Sequence, residues 1–116
     1  MLGDPLKIES KGDVVVVAVS GDVDLANAKS IGVQIAAAVP NESIGLVLDL
    51  AETTYLDSSG LHLIFDLAAR LGERQQRLAL SVPEASHLRR VLELVDVGVA
   101  AGLEPSVERA MAAVRA

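Results

Sequence analysis

The sequence predicts an α/β fold: a mixed four- to five-stranded β-sheet packed with about four α-helices. Three observations carry that expectation. Short β-branched or leucine-rich runs, "VVVVAVSG", "IGLVLDL" and "RLALSV", alternate along the chain with longer stretches whose apolar residues recur at helical spacing. Nothing repeats at a fixed period and no Pro, Ser or Gly linker divides the 116 residues, so residues 1–116 are expected to form one domain, burying roughly two-thirds of the surface of the unfolded chain. The composition is 51% hydrophobic but 2% aromatic, with Tyr55 and Phe65 alone, which calls for an interior of Val, Leu, Ile and Ala.

"LKIES" alternates apolar and polar residues, "KGD" supplies a turn, and the run from Val14 to Gly21 follows, so the chain is expected to open with a β-hairpin whose second strand is buried on both faces. In "DVDLANAKSIGVQIAAAVP", Leu25, Ala28, Ile31, Ile35 and Ala38 form a helical stripe, with Asp24 as N-cap and Pro40 as stop. Leu46, Leu48 and Leu50 then lie on one face of a strand, Val47 and Asp49 on the other. After the loop "AETTYL", a helix is expected from Ser58 to about Gly72, with Leu61, Ile64, Ala68 and Leu71 as its stripe and Leu63, Phe65 and Leu67 widening it. In the next strand Leu78, Leu80 and Val82 face one way, Ala79 and Ser81 the other. Pro83 opens a third helix through about Val95, buried along Leu88, Val91, Leu92 and Val95. A short strand is expected near Val99 to Glu104, and then a last helix capped by Ser106. Helices between strands imply right-handed crossovers and parallel neighbours, with the hairpin adding one antiparallel pairing.

Composition excludes several function classes. Ten Lys and Arg against 16 Asp and Glu leave a formal charge of −6, which repels a phosphate backbone and argues against nucleic-acid binding. Without cysteine there is no disulfide, thiolate metal site or cysteine nucleophile, and His62 and His87 each stand alone in their segments. No basic leader precedes an apolar run, and no run of about 18 apolar residues occurs, so a cytoplasmic protein without direct membrane binding is expected.

The stretch "TYLDSSGLHLIFDLAARL" concentrates the chemistry. Asp57, Ser58 and Ser59 fall where a loop becomes a helix, and Ser and Asp are preferred N-caps because their oxygens accept from unpaired N–H groups of the first turn. The same position suits a phosphoserine. The added charge of about −1.5 to −2 meets the positive end of a helix, while Asp57 beside it repels the phosphate and would make a dense negative patch. Catalysis finds less support. Neither histidine is marked as a base for a serine nucleophile, and an exposed pair with Asp66 one turn on is the expected role of His62. "DSSG" is not the G-x-S-x-G elbow, and no phosphate-binding glycine motif occurs. Asp22, Asp24, Asp49 and Asp57 could suggest a phosphoryl-accepting Mg²⁺ site, but Lys7, Lys11 and Lys29 are the only lysines, so none stands at the end of a late strand. No enzyme, catalytic residue, cofactor or metal is therefore expected.

These residues resemble a family. "GDVD" (Gly21 to Asp24), the "LVLDL" strand, "YLDSSGL", the "LALSV" strand, a proline-initiated helix and a last helix together resemble a STAS domain of the anti-sigma factor antagonist type, from about Leu6 to Val114. The resemblance implies a STAS-like fold and a partner-switching protein. The unphosphorylated antagonist binds an anti-sigma factor, a serine kinase with a Bergerat-type ATP-binding fold, and frees a sigma factor. Phosphorylation at the first serine of D-S-S-G, here Ser58, switches it off, and a serine phosphatase reverses the change. It further implies that Asp24 and Asp57 belong to the recognised surface and that Ser59 and Gly60 shape the turn; ATP and Mg²⁺ belong to the kinase. Independently of the resemblance, the helix after Ser58 carries more apolar residues than one face needs, which leaves Leu61, Leu63 or Phe65 available to a partner. Ser59 remains open as a second acceptor. His62 stands where the family often has a small residue, which would alter partner choice or make the contact respond to pH. The alternative is an unphosphorylated STAS scaffold or regulatory subunit of a membrane transporter or stress-signalling complex.

Overall fold

The computed structural model describes residues 4–116; Met1 to Gly3, which the predicted domain includes, lie outside the described residues. Leu6–Lys11 (β1) and Val14–Val19 (β2) form the expected antiparallel hairpin, with Ile8 opposite Val17. Strands Gly45–Asp49 (β4), Arg77–Ser81 (β6) and Gly102–Glu104 (β7) continue the sheet in the order β1-β2-β4-β6-β7, all parallel to β2. Helices Ala28–Ala38 (α1), Ser58–Glu73 (α2), His87–Leu94 (α3) and Val107–Arg115 (α4) cover it. The mixed sheet and the four helices are those the sequence predicts.

Alternation along the strands divides the interior into two layers. Val15, Val17, Leu46, Leu48 and Leu80 face the larger core, closed by Ile31 and Ile35 of α1, Ile64 and Leu67 of α2, and Leu88 and Leu92 of α3. Val14, Val16, Val47 and Ala79 face the smaller one, closed by Ala110 and Val114 of α4. The strand β2 is thus buried on both sides, as expected, and no aromatic side chain is among the buried residues described.

Four details differ from the sequence expectation. "AETTYL" is not merely a loop: Thr53–Leu56 (β5) pairs in parallel with Gly21–Val23 (β3) as a separate two-stranded ribbon. Its strands are too short to show a period, and their pairing is non-local. Helix α1 begins at Ala28 rather than after Asp24, because Asp24 to Asn27 close a turn in which Asn27 Oδ1 accepts from the Asp24 N–H at 2.9 Å. Leu25, expected on the buried stripe, is consequently 82% exposed, and Val39 rather than Ala38 completes the buried face. Helix α3 begins at His87, not at Pro83. Pro83 to Ser86 close a turn, and Ser86 Oγ accepts from the Leu88 N–H at 3.2 Å, so Val95 falls past the helix end and is exposed. The expected late strand is present but confined to Gly102–Glu104, after a 3₁₀ turn at Val97–Val99, and Ser106 caps α4 by accepting from the Arg109 N–H.

Candidate functional site

The ribbon of β3 and β5 assembles the site. In its register Val23 lies beside Leu56, so the residues that follow, Asp24 and Asp57, leave the ribbon at the same end. The Asp57 N–H donates to Val23 O at 3.2 Å, and the Leu25 N–H donates to Asp57 Oδ2 at 3.1 Å. "GDVDL" and "YLDSSG", distant in sequence, are in this way joined through Asp57. Further bonds brace the ribbon: Thr54 Oγ1 donates to Asp22 Oδ1, Asn27 Nδ2 to Asp22 O, and the buried Thr53 hydroxyl to Val19 O at 2.7 Å.

Asp57 is the N-cap of α2. Its Oδ1 accepts from the Ser59 N–H at 2.8 Å and the Gly60 N–H at 3.1 Å, satisfying two donors of the first turn. Neither serine caps the helix. Ser58, the first helical residue, is exposed, and Ser59 is half-buried. Gly60 is buried because the ribbon lies against it: a Cβ there would stand 2.9 Å from Val23 O and from Leu56 Cδ2. Leu61 is half-buried and packs on the larger core. Asp24 is half-buried, its Oδ1 accepting from the Ala26 N–H at 3.0 Å. Of the residues singled out from the sequence, Asp24, Asp57, Ser58 and Ser59 gather at one end of the ribbon, while Gly60 and Leu61 lie inward of them.

Beside Ser58 a groove of about 660 Å³ runs between α1 and α2, lined among others by Leu25, Lys29, Val33, Ser58, His62 and Arg70. The helices approach closely because α1 carries Gly32, where a Cβ would come within 2.5 Å of Leu63 Cδ1. Val33 is 60% exposed and Phe65, on α2, 37%. Lys29, Val33 and Arg70 were not legible as site residues. The available signal was that Val33 falls off the Ala28, Ile31, Ile35 stripe and so must face outward. His62 Nε2 stands 3.6 Å from Asp66 Oδ2, both side chains well exposed, which is the expected i,i+4 pair and contributes little when so solvated. Among the described residues no hydrogen bond joins either serine to a histidine, no group of His, Cys, Asp or Glu side chains converges on a metal position, and no helix is long and apolar enough to cross a membrane.

The arrangement presents one exposed hydroxyl at a helix N-terminus, with two carboxylates at the same end of the ribbon and beside it a largely apolar groove whose charged lining is Lys29, Asp66 and Arg70. A family model described as "Mlab, STAS domain" matches residues 6–105. The chain is similar to an anti-sigma factor antagonist from Mycobacterium paratuberculosis, at 28% identity over 96% of this chain and 93% of that one, with a TM-score of 0.83. It shares its fold with the Bacillus cell fate determinant SpoIIAA in its phosphorylated form, at 21% identity, 95% and 99% coverage and a TM-score of 0.66. It likewise shares its fold with part of the murine Solute Carrier 26 family member A9 anion transporter, at 14% identity over 92% of this chain and 18% of that one, with a TM-score of 0.77.

Proposed function

The chain belongs to the STAS domain family, and on that premise we propose that it is an anti-sigma factor antagonist whose hold on its partner is switched by phosphorylation of Ser58. Unmodified, it binds an anti-sigma factor serine kinase of the Bergerat-type ATP-binding fold and frees a sigma factor in the cytoplasm; modified, it releases the kinase until a serine phosphatase restores it. The protein itself catalyses nothing in this scheme, and ATP and Mg²⁺ act in the kinase. Asp24, Asp57 and Ser59 contribute the contact around Ser58, while Gly60 and Leu61 hold its shape.

One observation carries the reading: Ser58 is exposed at the first position of α2 while Asp57 performs the capping. Its hydroxyl can therefore be modified without loss of a bond the helix needs. A phosphate there lies at the favourable end of the helix dipole, so folding tolerates it, whereas a partner surface built for a neutral hydroxyl beside two carboxylates does not. A coupling of about 1–3 kcal/mol would change affinity roughly 5- to 150-fold. The likeness to the Mycobacterium paratuberculosis antagonist supports the same class of function.

A second reading, a scaffold or regulatory subunit of a membrane transporter, is favoured by the fold shared with the anion transporter. Capture with Ser58→Ala and Ser58→Asp baits in ADP and Mg²⁺ separates the two. The first reading expects an ATP-binding serine kinase on the alanine bait alone, and that kinase should label the native chain but not Ser58→Ala. A transport protein retained by both baits, or labelling that survives Ser58→Ala at the same rate, would overturn it.

A further inference from the structure

We propose that β1 is a self-association edge, pairing antiparallel with β1 of a second copy about a two-fold axis through Ile8. β1 is one of the two edges of the sheet, the other being β7, and among the described residues β2 is its only strand neighbour. The Ser20 N–H donates to Pro5 O at 2.8 Å, and the β1–β2 register continues that pairing through Lys7 with Ala18 and Glu9 with Val16. Hydrogen-bonded and non-bonded pairs alternate in an antiparallel ladder, so the backbone groups of Lys7 and Glu9 turn inward to β2 and those of Leu6, Ile8 and Ser10 turn outward. The Leu6 N–H agrees, being met at 3.0 Å by Asp4 Oδ1 on the open side.

Side chains select the partner and the register. Leu6 belongs to the larger core, and Ile8, opposite Val17 on the same face, is left 47% exposed at its rim. Lys7, Glu9 and Lys11 project from the other face. Lysines on an edge ordinarily discourage pairing, but here a glutamate stands between them. Centred on Ile8, two copies set each Lys7 opposite the other chain's Glu9 and the two Ile8 side chains opposite each other, and the outward groups of Ile8 meet their counterparts. Centred on Glu9, the same strands would oppose Glu9 to Glu9 and Lys7 to Lys11; centred on Lys7, they would oppose Lys7 to Lys7. Like charges directly opposite are unfavourable, so the Ile8 register is preferred. The second copy extends the core face by Ile8 against Ile8, and Ser58, on α2, is not part of the contact.

Charge reversal tests the register. In sedimentation velocity from micromolar to millimolar protein, the native chain should dimerise with concentration, and Glu9→Lys and Lys7→Glu should each weaken dimerisation roughly tenfold. An equimolar mixture of the two variants should form the heterodimer, because every cross-strand pair is then attractive. The chain has no cysteine, so Ile8→Cys supplies a single thiol on the axis, where facing Cα atoms of a bonded pair lie about 5.5 Å apart, within disulfide reach; mild oxidation should convert it to a covalent dimer. A native chain that stays monomeric while Ile8→Cys fails to cross-link, or a dimer indifferent to both reversals, would overturn the assignment.

Discussion

Asp57 holds two chain segments and one helix end with a single carboxylate, Oδ1 to the Ser59 and Gly60 N–H groups and Oδ2 to the Leu25 N–H. Removing a cap of this kind costs about 0.5–2 kcal/mol, so Asp57→Ala is expected near the upper end in urea denaturation, with Asp57→Asn retaining most of the stability. Ser58 behaves oppositely. Exposed and free of capping duty, it should tolerate Ser58→Ala within about 0.5 kcal/mol in the same measurement, while phosphate incorporation is lost. At this scale the sequence placed Asp57, Ser58 and Ser59 at a helix start but left the capping residue open, because Ser and Asp serve equally well there. The path of the loop decided it. Leu25 shows the complementary limit: its spacing from Ala28 suits a buried stripe, yet the turn from Asp24 to Asn27 holds it outside the helix and 82% exposed.

Elements meet the site through close approach. Gly60 lets the first turn of α2 rest on the ribbon, with Val23 O and Leu56 Cδ2 each 2.9 Å from where a Cβ would stand. Gly60→Val must push the helix away, an overpacking cost of about 1–3 kcal/mol, and should lower the urea midpoint while weakening partner capture even with Ser58 intact. The helices themselves were legible because each carries a sustained apolar stripe, and Ser106 was found because it stands directly before the run that begins at Val107. Ser86 was missed because Pro83, three residues earlier, is an equally acceptable helix opening. The ribbon was missed for a different reason. β3 and β5 are short strands separated by α1 and β4, so neither shows an alternation that identifies it and only their mutual pairing makes them strands.

The whole molecule is two aliphatic layers on a five-stranded sheet, and its central strands carry its stability. Leu48 is 1% exposed in the larger layer, and Leu48→Ala should cost about 2–5 kcal/mol, read as a lowered urea midpoint with an unchanged slope. Against a typical total of about 5–15 kcal/mol, that one truncation brings the chain near its limit, whereas the site variants at Asp57 and Ser58 should not. By itself the sequence determined the fold class, the hairpin, the helices and strands with sustained patterns, the aliphatic core and the neighbourhood of Ser58, since each is written in local periodicity or in a contiguous motif. Only the tertiary structure decided that β3 and β5 pair, that Asp24 and Asp57 share one end of that ribbon, that Asp57 is the cap, and that Leu25 and Val33 border a groove beside Ser58. These depend on contacts between residues far apart in the chain, whose energies the local pattern does not encode.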